Sequence, residues 1–213
     1  MLTLAVDTAL AHCQAAVLEG EGDDLRVVAQ SGSPATGDAE AILEHGQAAM
    51  DAAGIGAGAI GRVAVTVGPG SFTGVRVGIA YAKGVAFAGD LPVYGVPTLE
   101  IMARAGKTPA LGVIDARHGA LFAGLYLQAG APAQTLARLS VAACAELAAT
   151  TGAVVRGDAA SVAALGSGEV VERIDLKTLC RLALETGAPR EARALYLAPV
   201  DAKPQRHKSL ARA

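Results

Sequence analysis

The chain has 213 residues, 52% of them apolar but only 3% aromatic, and a formal net charge of −2. That length suffices for one sizeable domain or two small lobes whose core is packed mainly by alanine and small aliphatic side chains. The charge excludes a protein that grips nucleic acid through a broad basic surface of its own.

The N-terminal run MLTLAVDT has no basic leader and reaches Asp7 at once, so no signal peptide is expected. No apolar run approaches the ~20 residues a membrane helix needs, and a cytoplasmic protein is expected. LTLAVDT and AHCQAAVLEG predict a hairpin over residues 2 to 18, and LRVVAQS a third strand. Thr36 or Asp38 can cap a helix over AEAILEHGQAAMDAA, with Ile42, Leu43, Ala49 and Met50 on one face and Gly54 closing the end. RVAVTV reads as a buried strand leading into GPGSFTGVRVGIAYAKG, which turns helical. LPVYGV is a further strand, and Pro97 and Thr98 start a short helix through about Ala105. AGKTPA, residues 105 to 110, predicts a lobe boundary, giving an N-terminal lobe over 1–104 and a smaller C-terminal lobe over 105–213. Beyond it the order begins again: a hairpin from ALGVIDA and GALFAGLYL, a helix at SVAACAELAA, a strand at AVVRG and a helix at LKTLCRLALETG. This is a structural duplication without a visible sequence repeat.

The glycine loop resembles a phosphate cradle only superficially. A P-loop needs Gly-x-x-x-x-Gly-Lys-Ser/Thr, and no lysine follows here; Gly68, Gly70 and Gly74 are one residue too widely spaced for a dinucleotide fingerprint. Gly68 and Gly70 permit backbone shapes closed to other residues, and Ser71 or Thr73 can cap the helix that follows, so these four form a structural loop. A helix N-terminus can still attract an anion. In the helix, Gly74, Gly78, Ala82 and Ala86 recur every four residues and leave one face nearly bare. That face meets either its own sheet or a partner helix.

Cys13, Cys144 and Cys180 contain no Cys-x-x-Cys pair, so buried reduced thiols are expected rather than disulfides or a zinc knuckle. No metal is expected from His12, His45, His118 and His207, none of which are one helical turn apart.

Together, Leu-Ala-Val-Asp-Thr at the N-terminus, Gly-Pro-Gly-Ser-Phe-Thr-Gly-Val-Arg-Val-Gly with its Ala-Lys-Gly, Gly-Val-Pro-Thr-Leu and Val-Ile-Asp-Ala-Arg resemble the TsaB family, also called YeaZ, of the TsaD/glycoprotease-like (peptidase M22-like) proteins. The likeness covers residues 1 to about 126 and resumes near Leu195-Tyr196-Leu197 and Asp201-Ala-Lys-Pro-Gln. It implies an α/β, actin-like and Hsp70-like fold of two lobes, each with a βββαβα core. It also implies a non-catalytic subunit in the synthesis of threonylcarbamoyladenosine beside the tRNA anticodon, without protease activity. The implied partners are a catalytic TsaD homologue and a TsaE-like ATPase, a homodimer when alone, and tRNA only through the complex. On this resemblance the first-lobe helices form the partner surface, assigned to Ile42, Met50, Gly74, Val75, Gly78, Ile79 and Ala82. Asp7 and Thr8 stand where actin-like ATPases keep their first phosphate turn, read here either as a vestige or as a strand end capping local amides. The second-lobe turn, Asp115-Ala116-Arg117, lacks the usual glycine, and no Gly-Gly adenosine loop follows. No tightly bound cofactor is expected, with ATP only at an interface with the partner. An ATP-dependent small-molecule kinase or ATPase of the actin-like superfamily is the alternative. The chain departs from the family in placing Asp38 where a His is common and Ala198 where an Arg follows Tyr-Leu. Its tail, AKPQRHKSLARA, is basic.

Overall fold

A computed structural model describes residues 1–35, 41–185 and 187–197. Asp38, Ala198 and the basic tail lie outside the described residues, as does the cap expected at Thr36 or Asp38.

Alternating apolar strands of small residues build the first sheet. β1 (Leu2–Asp7) pairs antiparallel with β2 (His12–Glu19), which pairs with β3 (Arg26–Pro34). On its other side β1 runs parallel to β4 (Ile60–Thr66), and β4 to β5 (Val93–Val96), giving the order β3-β2-β1-β4-β5. The second half repeats this with β6 (Ala110–Asp115), β7 (Ala120–Tyr126), β8 (Thr135–Ser140), β9 (Val154–Gly157) and β10 (Glu169–Val170), in the order β8-β7-β6-β9-β10. The identical strand order is the duplicated actin-like α/β fold.

The helices are α1 (Ile42–Ala52), α2 (Phe72–Gly89), α3 (Thr98–Arg104), α4 (Val141–Thr151), α5 (Ala159–Leu165) and α6 (Leu176–Leu184). On one face of the first sheet Leu4, Val6, Val63 and Val65 pack against Ile42 and Met50 of α1 and Val75 and Ile79 of α2. The period of two sends Ala5, Ala16, Leu18 and Ala64 to the opposite face, where Leu176, Leu179 and Cys180 of α6 cover them. α3 packs on the inner face of the second sheet: a Cβ at Gly112 of β6 would lie 2.5 Å from the Leu99 carbonyl oxygen. Cys144 of α4 packs with Leu111, Val113 and Leu125 on the outer face. The middle layer is therefore an exchange, with the last helix of each half lying on or beside the other half's sheet. Cutting the chain at 104/105 separates the two sheets but not their packing, because α6 belongs to the core of the first.

Several sequence expectations need correction. Leu43, expected on the buried face of α1, is exposed, and Gly46 takes its place beneath Tyr81. β8, α5 and β10 have no counterpart in the sequence reading. β8 alternates half-buried and exposed residues at a sheet edge, α5 has 7 residues and β10 has 2, so none shows a sustained apolar period. The three cysteines are buried, and none is in a disulfide. Burial, with the Asp7 carboxylate second, pushes the Cys13 thiol up to about 11, far from the thiolate a nucleophile requires.

Candidate functional site

The two halves face each other across an open cleft of about 1110 Å³. On one side stand the β1–β2 turn and the loop Gly68–Thr73; on the other stand Asp115, Arg117 and Asp158.

Asp7 and Thr8 do not line this cleft. Asp7 is wholly buried: Oδ1 accepts from the Ala9 amide at 3.0 Å and the Thr66 hydroxyl at 2.9 Å, and Oδ2 from Gln14 Nε2 at 3.2 Å. Its lone pairs thus cap local donors. Burial raises its pKa, while the bonds from Ala9, Thr66 and Gln14 pull it partly back.

The glycine loop closes over this turn. The Ser71 amide donates to the Ala9 carbonyl at 2.8 Å, and the Thr8 hydroxyl donates to the Gly74 carbonyl at 2.7 Å. A Cβ at Gly70 would overlap the Ala9 carbonyl oxygen, one at Gly74 the Thr8 carbonyl oxygen, and one at Gly78 the Thr8 hydroxyl. Gly68, at φ +90, starts the turn, and Ser71 caps α2 by accepting from the Gly74 amide at 3.2 Å. Thr73 is exposed on the first turn of α2 and makes no capping bond there. The bare face of α2 therefore meets the chain's own first turn.

From the sequence, Ile42, Met50, Gly74, Val75, Gly78, Ile79 and Ala82 are assigned to a partner surface. All seven are buried within the chain, because the residues that suit close helix approach are those this fold uses to seat α1 and α2 on the sheet. The outer faces of the same helices carry a different set. Phe87 is 92% exposed and Leu43 56%, and Ala80 and Gly84 lie exposed along α2, with open space where a Gly84 Cβ would stand. Sequence periodicity gave no warning of Phe87, which lies within an almost wholly apolar helix.

α1 and α2 are held at close range by Gly46, where a Cβ would overlap the Tyr81 hydroxyl. Gly46→Ala should cost about 1–2 kcal/mol by overpacking, although the same change in an open helix is favourable. In a Tyr81→Ala background it should become neutral or stabilising, measured as the coupling in a double-mutant cycle of urea unfolding.

Across the cleft, Asp158 accepts from the Asp115 amide at 2.9 Å and caps α5 through the Ser161 amide at 2.7 Å. Asp115 Oδ1 accepts from the Arg117 amide at 2.9 Å. Arg117 and His118 hold φ of 60 and 54 before Gly119, a left-handed run that non-glycine residues adopt at a cost. At the cleft mouth the Arg76 guanidinium lies 3.5 Å from the Phe72 ring centroid and donates through Nε to the Tyr196 hydroxyl at 2.9 Å. Among the described residues no three His, Cys, Asp or Glu gather into a metal-binding group, and no helix is long and apolar enough to cross a membrane.

Comparison with known proteins places this architecture. The family described as TsaD, tRNA N6-adenosine threonylcarbamoyltransferase, matches residues 36–171, well over half of the chain. The chain is 37% identical over 131 residues to the tRNA threonylcarbamoyladenosine biosynthesis protein TsaB of Escherichia coli, covering 59% of this chain and 55% of that protein. With the TsaB protein of Bacillus subtilis it shares 38% identity over 73 residues, covering 32% of this chain and 31% of the relative. The match thus spans about half the length of these curated relatives, or less. The structure of YeaZ from Pseudomonas aeruginosa has the same fold, with a TM-score of 0.70, 24% identity, and coverage of 92% of this chain and 99% of that one. The chain belongs to the family described as TsaD, tRNA N6-adenosine threonylcarbamoyltransferase, and its similarity within that glycoprotease-like family is to the TsaB/YeaZ proteins.

Proposed function

We propose that this protein is a non-catalytic subunit in the formation of threonylcarbamoyladenosine at the adenosine next to the tRNA anticodon, acting in the cytoplasm. It pairs with a catalytic TsaD homologue, works with a TsaE-like ATPase, self-associates when alone, and meets tRNA only through the complex. The printed function of its TsaB relatives supports the pathway. The absence of catalysis is supported by the turn at Asp7, whose carboxylate is saturated by three internal donors and whose backbone is covered by the Ser71 loop. Nucleotide is expected only at the interface with the partner.

The observation that carries the pairing is the outer face of α1 and α2. Phe87 stands almost fully in solvent beside Ala80 and Gly84, and Leu43 on α1 adds a second exposed apolar side chain. A mid-helix glycine costs ~1 kcal/mol relative to alanine. A Cβ at Gly84 would meet no atom of the described residues within 4 Å, so a partner's side chain is its natural neighbour. Phe87→Glu should leave stability within about 0.5 kcal/mol of the parent, since the side chain packs on little of its own chain. It should abolish co-purification with the TsaD homologue and lower threonylcarbamoyladenosine, read by mass spectrometry of tRNA nucleosides, in cells that depend on this protein. Undiminished co-purification would place the pairing surface elsewhere.

A further inference from the structure

Behind the cleft, where α3 ends and the chain enters β6, positive charge accumulates beyond its local compensation. Arg104 lies almost wholly buried between two carboxylates, bonding Glu100 at 3.1 Å and Glu185 at 2.7 Å. Arg190 binds the same Glu100 at 2.8 Å, and Arg181 the same Glu185 at 2.7 Å. Three guanidiniums therefore share two carboxylates. Beneath the adjoining loop lies a fourth, Arg156, buried, with Nη2 2.5 Å from where a Gly106 Cβ would stand. Its partner Glu169 is mostly exposed, and its Nη1 is turned to the carbonyls of Ala103 and Lys107 at 2.9 and 3.1 Å. Arg181 Nη2 likewise donates to the Arg104 carbonyl at 2.9 Å. The carbonyls of Ala103 and Arg104 lie at the end of α3 and carry partial negative charge, which answers part of the excess. Lys107 then adds a further charge on the exposed loop, with no ion pair of its own among the described residues.

These groups border a pocket of about 340 Å³ lined by Arg104, Gly106, Lys107, Thr108, Ala129 and Arg181. The buried Arg104 and Arg156 each have a carboxylate partner, so the excess charge rests on the more open Arg181 and Lys107, where a counter-anion can reach it. Here the ammonium of Lys107, the guanidinium of Arg181 and the hydroxyl of Thr108 supply donors of the kind a tetrahedral oxyanion accepts. The larger cleft suits that role less, since the carboxyl groups of Asp115, Asp158 and Glu172 line it against Arg117 and His12. We propose that the pocket formed by Arg104, Lys107, Thr108 and Arg181 binds a phosphate group, carried either by a free phosphate compound or by an RNA backbone. The site goes beyond the pairing proposal and is independent of it, because it lies on residues other than the outer face of α1 and α2.

The test is a titration of the ¹⁵N-labelled full chain with inorganic phosphate, against chloride at matched ionic strength, following the amides of Gly106, Lys107 and Thr108. Saturable shifts are expected at these amides. Lys107→Glu, at an exposed position, should weaken binding about tenfold or more, and Lys107→Arg should restore it. Phe87→Glu should leave phosphate binding unchanged, so failure of pairing and failure of this site are read separately. Displacement of phosphate by tRNA, weakening as salt rises, would identify an RNA backbone as the source and would replace the reading that this chain meets tRNA only through the complex. Phosphate binding that tRNA does not disturb would identify a free phosphate compound. Shifts that are absent, that do not saturate, or that are the same in Lys107→Glu would overturn the proposal.

Discussion

Gly74→Ala should destabilise the protein by about 3 kcal/mol, although alanine is the better helix former by ~1 kcal/mol. The new Cβ would overlap the Thr8 carbonyl oxygen, a backbone atom that cannot swing aside, and would also lie 3.1 Å from Ser71 Cβ. α2 would have to retreat from the β1–β2 turn. It would thereby stretch the bond from the Thr8 hydroxyl to the Gly74 carbonyl and that from the Ser71 amide to the Ala9 carbonyl. Gly84→Ala is the matched control: the same helix and chemical change, but open space at the new methyl group. It should be neutral or stabilising by up to about 1 kcal/mol. Urea midpoints of the two variants compare them directly, and equal stabilities would show that the contact with Thr8 is not what requires the glycine. Gly78→Leu falls under the same reasoning. Because a Gly78 Cβ would overlap the Thr8 hydroxyl, the change should impair folding itself rather than spare the fold and block pairing.

Asp7→Ala should cost about 3 kcal/mol, since it leaves the Ala9 amide and the Thr66 hydroxyl without their buried acceptor. Gln14 would retain the Ile174 carbonyl, to which Nε2 also donates at 2.7 Å. The acid form of Asp7 gives a second, signed expectation. Burial raises its folded pKa above the ordinary 3.8, so the folded protein holds this proton more tightly than the unfolded chain. The resulting stabilisation is fully present below the unfolded value and is lost as pH rises through the folded one. In Asp7→Asn the group no longer titrates. The stability of the parent relative to Asp7→Asn should therefore fall as pH rises above 3.8, then level off beyond the raised pKa. Denaturant titrations of both proteins across a pH series give the difference, and a flat difference would rule out the raised pKa.

Much of the first half was legible because its signals are local. β1, β2 and β4 are short apolar runs bounded by turns; Ser71 and Gly54 mark helix ends through hydrogen bonding and φ that depend on near neighbours. The element order and the failure of the loop as a phosphate motif follow from residue types and spacing alone. What α2 faces could not be read in that way. Gly74, Gly78 and Ala82 announce a close approach, but the approaching group is Thr8, 66 residues before Gly74, and only the parallel pairing of β1 with β4 brings it there. A small-residue face is equally suited to a sheet turn or to a foreign helix, so spacing leaves the choice open. The exchange of α3 and α6 was hidden for a related reason: an amphipathic helix specifies an apolar neighbour but not which of two similar sheets provides it. The exposure of Phe87 and the convergence of Arg104, Arg181 and Arg190 on Glu100 and Glu185 are likewise set by tertiary placement. Composition and local periodicity thus determined the elements and their order, whereas burial of each face and the pairing of distant charges depended on contacts between segments far apart in the chain, which only the folded arrangement decides.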